Sequence, residues 1–87
     1  MRELEKILKA LANRRRLAIV KHLKKNREAS VGEIAGAIKL SFRSTSKHLS
    51  VLFAADILEK EQKSTLMFYR LSDSLSPAAR SIVSCIK

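Results

Sequence analysis

Residues 40–58, LSFRSTSKHLSVLFAADIL, constrain the fold more than any other stretch. Placed on a 3.6-residue helix, Thr45, Leu49, Leu52 and Phe53 fall on one side, while Arg43, Lys47, Ser50 and Ala54 fall almost opposite. One face therefore needs a core and the other meets solvent or a partner. Ser41 is a good N-cap because its hydroxyl can accept from a first-turn N–H, and Asp56 sits where the chain must leave the helix. Ser44, Ser46 and Ser50, with Thr45 at the margin, are small polar residues. Such residues let a backbone approach a nucleic acid closely and donate to phosphates or base edges. A helix that was only solvated would carry more Glu and Lys. An ordinary amphipathic surface helix accounts for this stretch alone equally well; the surrounding chain shifts the balance.

The 87 residues hold one domain, and a monomer of this size buries only about 60% of its unfolded surface, so a second copy would add to its core. With 46% hydrophobic residues, two glycines and one proline, the chain reads as folded and largely helical. Eighteen Lys and Arg against eight Asp and Glu leave a formal charge of +10, which favours an anionic partner. The charge is also uneven. From Lys6 through Arg27 there are nine basic residues and no acidic one, and a second acid-free stretch runs from Lys39 to Lys47. Two such blocks fit a polyanion better than a merely soluble surface. Nucleic acid outranks membrane, since no Trp- or Phe-rich apolar face accompanies the basic one. No apolar run reaches the roughly 20 residues needed to span a bilayer, and the opening MRELEKILKAL is an amphipathic helix rather than a signal peptide; a cytoplasmic location is expected. The single cysteine, Cys85, has no internal partner, in keeping with a reducing compartment.

The remaining elements follow in order. Leu4, Ile7, Leu8 and Leu11 make the stripe of a first helix ending near Ala12. Asn13 can cap a second helix that carries Leu17, Val20 and Leu23 inward, with Ile19 at its edge, and ends around Lys25 or Asn26. Ser30-Val31-Gly32-Glu33 fits a capping box opening a short third helix whose buried side is Val31, Ile34, Ala35 and Ile38. This helix and the one after Lys39-Leu40 make a helix-turn-helix over about 31–55. After Asp56 the residues turn β-branched and aromatic. Residues 57–62 and 65–71, with Lys63-Ser64 between them, predict a β-hairpin, the wing of a winged helix. It is weakly equipped to bind DNA: Lys60 and Lys63 are balanced by Glu59 and Glu61, and no glycine eases the turn. Ser76 and Pro77 open a last helix with Ala79, Ile82, Val83 and Ile86 on one face. The predicted class is mainly α with a small β-hairpin, in the order four helices, two strands, one helix.

Residues 8–71 resemble the ArsR family of winged-helix transcription regulators. The match is carried by Leu8-Lys9-Ala10-Leu11-Ala12-Asn13, Arg16-Leu17-Ala18-Ile19-Val20, Glu33-Ile34-Ala35, Leu40-Ser41, Ser46-Lys47-His48-Leu49, Leu52 and Phe68-Tyr69-Arg70-Leu71. The resemblance implies a homodimer, joined through the first and last helices (about 2–12 and 77–87), that presents two reading helices to a near-palindromic operator. Leu4, Ile7, Leu8, Leu11, Ala79, Ile82, Val83 and Ile86 are the expected interface. The apolar stripes agree, because a small core could not cover both terminal helices fully. The chain also departs from the family. Phe42 and Arg43 stand where members often have Gln and Ser, so the bases read should differ. Members that sense metals carry cysteines on the third helix or Asp, His and Glu clusters on the last. Neither pattern is present, so no metal and no cofactor is expected. His22 and His48 are lone histidines on different helices and read as surface or core-edge residues. Cys85 reads as a small packing residue at an apolar interface, with a redox role as the sharper alternative.

No phosphate-binding glycine loop, paired carboxylates or nucleophile-base set is present, and Ser46 and His48 point about 160° apart on one helix, so catalysis is not expected. The expected partner is double-stranded DNA. Ser41, Phe42, Arg43, Ser44, Ser46, Lys47 and Ser50 form the reading surface, with Arg43 the foremost base reader. Lys39, Arg14, Arg15 and Lys63 are expected on the phosphate backbone, whereas Arg16 is equally well a structural ion-pair partner. A homodimeric repressor is the leading reading. A sequence-nonspecific DNA-coating protein and a winged helix used for protein–protein contact remain as rivals, and no effector ligand is indicated.

Overall fold

The computed structural model describes residues 1–87. Five helices and three strands follow one another as α1 (Arg2–Leu11), α2 (Arg14–Lys25), β1 (Ala29–Ser30), α3 (Val31–Ile38), α4 (Phe42–Ala54), β2 (Leu58–Lys63), β3 (Leu66–Leu71) and α5 (Pro77–Cys85). The last four helices each start where a side chain satisfies first-turn N–H groups. Asn13 Oδ1 accepts from the Arg15 and Arg16 amides at 2.9 and 3.1 Å. Ser30 and Glu33 close a reciprocal capping box at 3.2 and 2.8 Å. Ser41 Oγ accepts from the Ser44 amide and Ser76 Oγ from the Ala79 amide. All four caps are the ones expected from the sequence.

The exits of α3 and α4 use left-handed backbone without glycine, at Lys39 (φ 57°) and Asp56 (φ 60°). Each closes its helix, with the Leu40 amide donating to the Ala35 carbonyl and the Ile57 amide to the Leu52 carbonyl, both at 3.0 Å. These bonds offset a conformation that costs roughly 1–2 kcal/mol for a residue with a Cβ. The first exit sets the corner between α3 and α4, and the second feeds the chain directly into the wing.

The wing pairs β2 with β3 antiparallel from Leu58↔Leu71 to Lys63↔Leu66, and Ser64 (φ 59°) supplies the positive φ that a glycine would otherwise provide. β1 adds a third strand on the other side of β3, with Ala29 opposite Tyr69 and Ser30 opposite Phe68. This strand was not expected. Two residues are too few to show an alternation, and the pairing partner lies far along the chain.

Ile19, Val20, Ile34, Leu49, Leu52 and Ile57 are sealed at the centre. Two expectations change. Ile19 lies fully inside while Leu17 is only partly buried, because α2 packs against α1, α3, α4 and β3 and so buries a wider face than a two-neighbour helix. Phe53, expected inward, is 39% exposed, with the Lys60 ammonium 4.3 Å from its ring centroid; the wing root covers that side of α4 with a cation rather than a core. Thr45 is buried as expected, yet its hydroxyl has no hydrogen-bond partner. An unsatisfied buried hydroxyl costs about 1–3 kcal/mol. Thr45→Val should therefore raise stability by about 1 kcal/mol in chemical denaturation, and a loss would show that the hydroxyl finds a partner in solution. No helix is long and apolar enough to cross a membrane.

Candidate nucleic-acid interface

The buried side of α4 is Thr45, Leu49 and Leu52, which fixes the helix against α3 and α2 and turns the opposite side outward. Phe42, Arg43, Lys47 and Ser50 are exposed there, with Ser44 and Ser46 half-buried beside them. The guanidinium of Arg43 and the ammonium of Lys47 have no carboxylate or hydrogen-bond partner within the chain. Ser41 Oγ is taken up as the helix cap, so its main role is to set the first turn. Lys39 stands at the left-handed corner just before this turn and is exposed. α4 thus presents free cations and small hydroxyls on its outward side.

Behind that side lies a polar knot. Arg16 Nε donates to the Ala10 carbonyl at 2.6 Å and Nη2 to the Lys9 carbonyl at 3.2 Å, capping the C-terminal end of α1. Its Nη1 lies 3.2 Å from His48 Nδ1 on α4. Arginine can only donate, so Nδ1 is the acceptor and Nε2 carries the ring proton. Burial pushes His48 below its ordinary value of 6.5, and the positive charges of Arg16 and Arg15 add to the shift; the neutral ring that this bond requires is thus favoured. Of the two readings open for Arg16, the structural one holds, but through carbonyls and a histidine rather than a carboxylate. Arg14 is exposed and Arg15 half-buried at the N-terminus of α2.

Two of the wing's cations are taken up by carboxylates. Lys63, expected on the DNA backbone, instead donates to Glu28 Oε2 at 2.5 Å, and this bond holds the Glu28 carboxyl below the usual carboxylate range. Arg70 spans Glu59 and Glu61 at 3.2 and 3.4 Å. Of the two tip cations noted in the sequence, Lys63 is thus paired within the sheet region, whereas Lys60 has no carboxylate partner and stands over the Phe53 ring. Glu28 itself drew no attention in the sequence, since nothing local links it to a residue on the far side of the hairpin.

The stripe expected to join two copies divides. Ile7, Leu11, Ala79 and Val83 are buried in the chain's own core, so they dock α1 and α5 onto the domain and offer nothing to a second copy. The stripe is wide enough on α1 for two neighbours, because positions 7 and 11 lie on one edge and 4 and 8 on the other. Leu4 and Leu8 remain 38% and 48% exposed, beside a fully exposed Met1, and together line an open apolar groove flanked by Arg2, Glu5 and Lys9. Ile82 and Ile86 on the α5 side are partly buried. Cys85 is free and exposed in the single chain, and no three His, Cys, Asp or Glu side chains gather closely enough to hold a metal ion.

The order of elements, the capped reading helix and the wing coincide with a known pattern: the family model for bacterial regulatory proteins of the arsR family matches residues 13–60, from the Asn13 cap into the wing. This chain belongs to the arsR family. The family is one of regulatory proteins, not of enzymes. Among arsR-related proteins, the transcriptional activator HlyU of Vibrio cholerae is 38% identical over 68 residues, which cover 78% of this chain and 62% of HlyU. The arsenical resistance operon repressor of Bacillus subtilis is 32% identical over 73 residues, covering 84% of this chain and 70% of the repressor. In three dimensions, reduced HlyU from Vibrio cholerae matches with a TM-score of 0.82 at 32% identity, over 97% of this chain and 84% of that one. A homodimeric winged helix-turn-helix DNA-binding domain from Mycobacterium bovis matches with a TM-score of 0.83 at 26% identity, over 98% of this chain and 75% of that one. The winged-helix architecture read from the sequence is the observed one.

Proposed function

We propose that this arsR-family chain is a site-specific regulator of transcription that binds double-stranded DNA as a homodimer in the cytoplasm. The single observation that carries this reading is the outward side of α4, where Arg43 and Lys47 are exposed and unpaired among serines, while Arg16, Lys63 and Arg70 elsewhere are taken up by internal bonds. Arg43 reads a base edge, its fork matching the O6 and N7 acceptors of guanine. Lys47, Ser44, Ser46 and Ser50, with Lys39, Arg14 and Arg15, fix register on the phosphates. Two relatives carry opposite descriptions, activator and repressor, so operator occupancy is the step this chain performs; repression follows where the operator overlaps a promoter.

The dimer forms through the uncovered edge of α1, Leu4 and Leu8 with Met1, supported by Ile82 and Ile86, the residues its own core leaves open. Two copies related by a two-fold axis then set α4 into successive major grooves. Hydroxyl-radical footprinting should show two protected stretches about 10–10.5 base pairs apart, or a multiple of that. Leu8→Lys, at an exposed position, should give a monomer by light scattering and abolish the paired footprint. Unbroken protection that spreads with protein concentration would contradict the reading.

The wing adds little while Glu28 holds Lys63. Glu28→Gln should release the ammonium toward phosphate, tighten DNA binding and steepen its salt dependence by about 0.9 in log–log slope for each phosphate gained. An unchanged slope would place the wing tip away from the backbone.

A further inference from the structure

Phe42 stands in the N-terminal turn of α4, and phosphate binding cannot use its ring. Its ring is 61% exposed at the first residue of α4, flanked by exposed Ser41 and Arg43 and close in sequence to the exposed Lys39 corner. The other large uncovered apolar side chains are otherwise placed. Met1, Leu4 and Leu8 share the α1 groove, Phe53 lies under Lys60, Leu66 sits at the wing turn, and Val51, 40% exposed, stands more than two turns further along α4, away from its N-terminal end. Phe42 belongs to no apolar cluster and carries no cation over its ring. In helix-turn-helix proteins the N-terminal residues of the reading helix are the ones that meet base edges. Across the base edges of the major groove, the apolar group on offer is the C5-methyl of thymine.

We propose that Phe42 is a specificity-determining residue that packs against a thymine methyl, so that each half-site requires thymine close to the base pair read by Arg43. The proposal rests on α4 being the DNA-reading helix and adds what that helix recognises. An exposed aromatic ring in a basic surface gains from desolvation only where its partner is apolar, and uracil, which pairs as thymine does, lacks that partner.

The test starts from the duplex that the full chain selects out of a random library, with each thymine then replaced singly by uracil. One thymine in each half-site should lose about fourfold in affinity with its methyl, the effect of burying one such group. Phe42→Ser should bind the thymine and uracil forms equally, and its melting curve should match the parent's because the ring is exposed. Tolerance of uracil at every position, or the same uracil penalty in the parent and in Phe42→Ser, would overturn the proposal while leaving α4 as the reading helix. Selection that returns no preferred sequence would instead overturn the DNA reading of α4, and the Phe42 contact with it.

Discussion

Leu52→Ala should destabilise the domain by about 2–5 kcal/mol, the usual effect of opening a cavity at a sealed leucine. Leu52 is completely buried and stands half a rotation from Arg43 on the same helix. A domain of this length holds only about 4–13 kcal/mol in total, so the variant should melt far earlier and populate unfolded chain under mild denaturant. Its DNA binding should fall only by the fraction unfolded, and should return when low temperature or added DNA draws the chain back to the folded state. A small loss of stability would mean that the α4 core face can collapse around the missing atoms.

Arg43→Ala should do the reverse. The side chain makes no contact that the fold relies on, so unfolding should shift by less than about 0.5 kcal/mol, as for surface substitutions elsewhere. Binding to the preferred duplex should weaken by about 1–3 kcal/mol, with a relaxed preference at one base pair of each half-site. An equal loss on every duplex would reduce Arg43 to a phosphate anchor. The two variants separate the faces of one helix: one removes stability and spares recognition, the other removes recognition and spares stability.

Those two faces were legible in the sequence because helical periodicity and caps are local. Asn13, Ser30, Ser41 and Ser76 each bond within three residues, and Thr45, Leu49 and Leu52 follow the helix repeat. What escaped reading depends on distant partners. β1 exists because Ala29 and Ser30 meet Tyr69 and Phe68. Lys63 is held by Glu28 rather than left free for DNA, and Arg16 links the end of α1 to His48 rather than pairing with an acid. The α1 stripe could be seen, but not how it would be shared between the chain's own core and a second copy. Hydrophobicity alone does not distinguish Ile7 from Leu8; the packing of α2, α4 and α5 against α1 does.

The most direct test of site-specific reading by α4 is binding of the full chain to the DNA upstream of its own gene and to a scrambled duplex of equal length and composition, across a salt titration. Binding that persists near physiological salt on the native duplex alone is the predicted result, since base contacts survive when the counterion contribution is screened. Equal and equally salt-sensitive binding to both duplexes would contradict it, and would make this chain a coat for DNA rather than a reader of it.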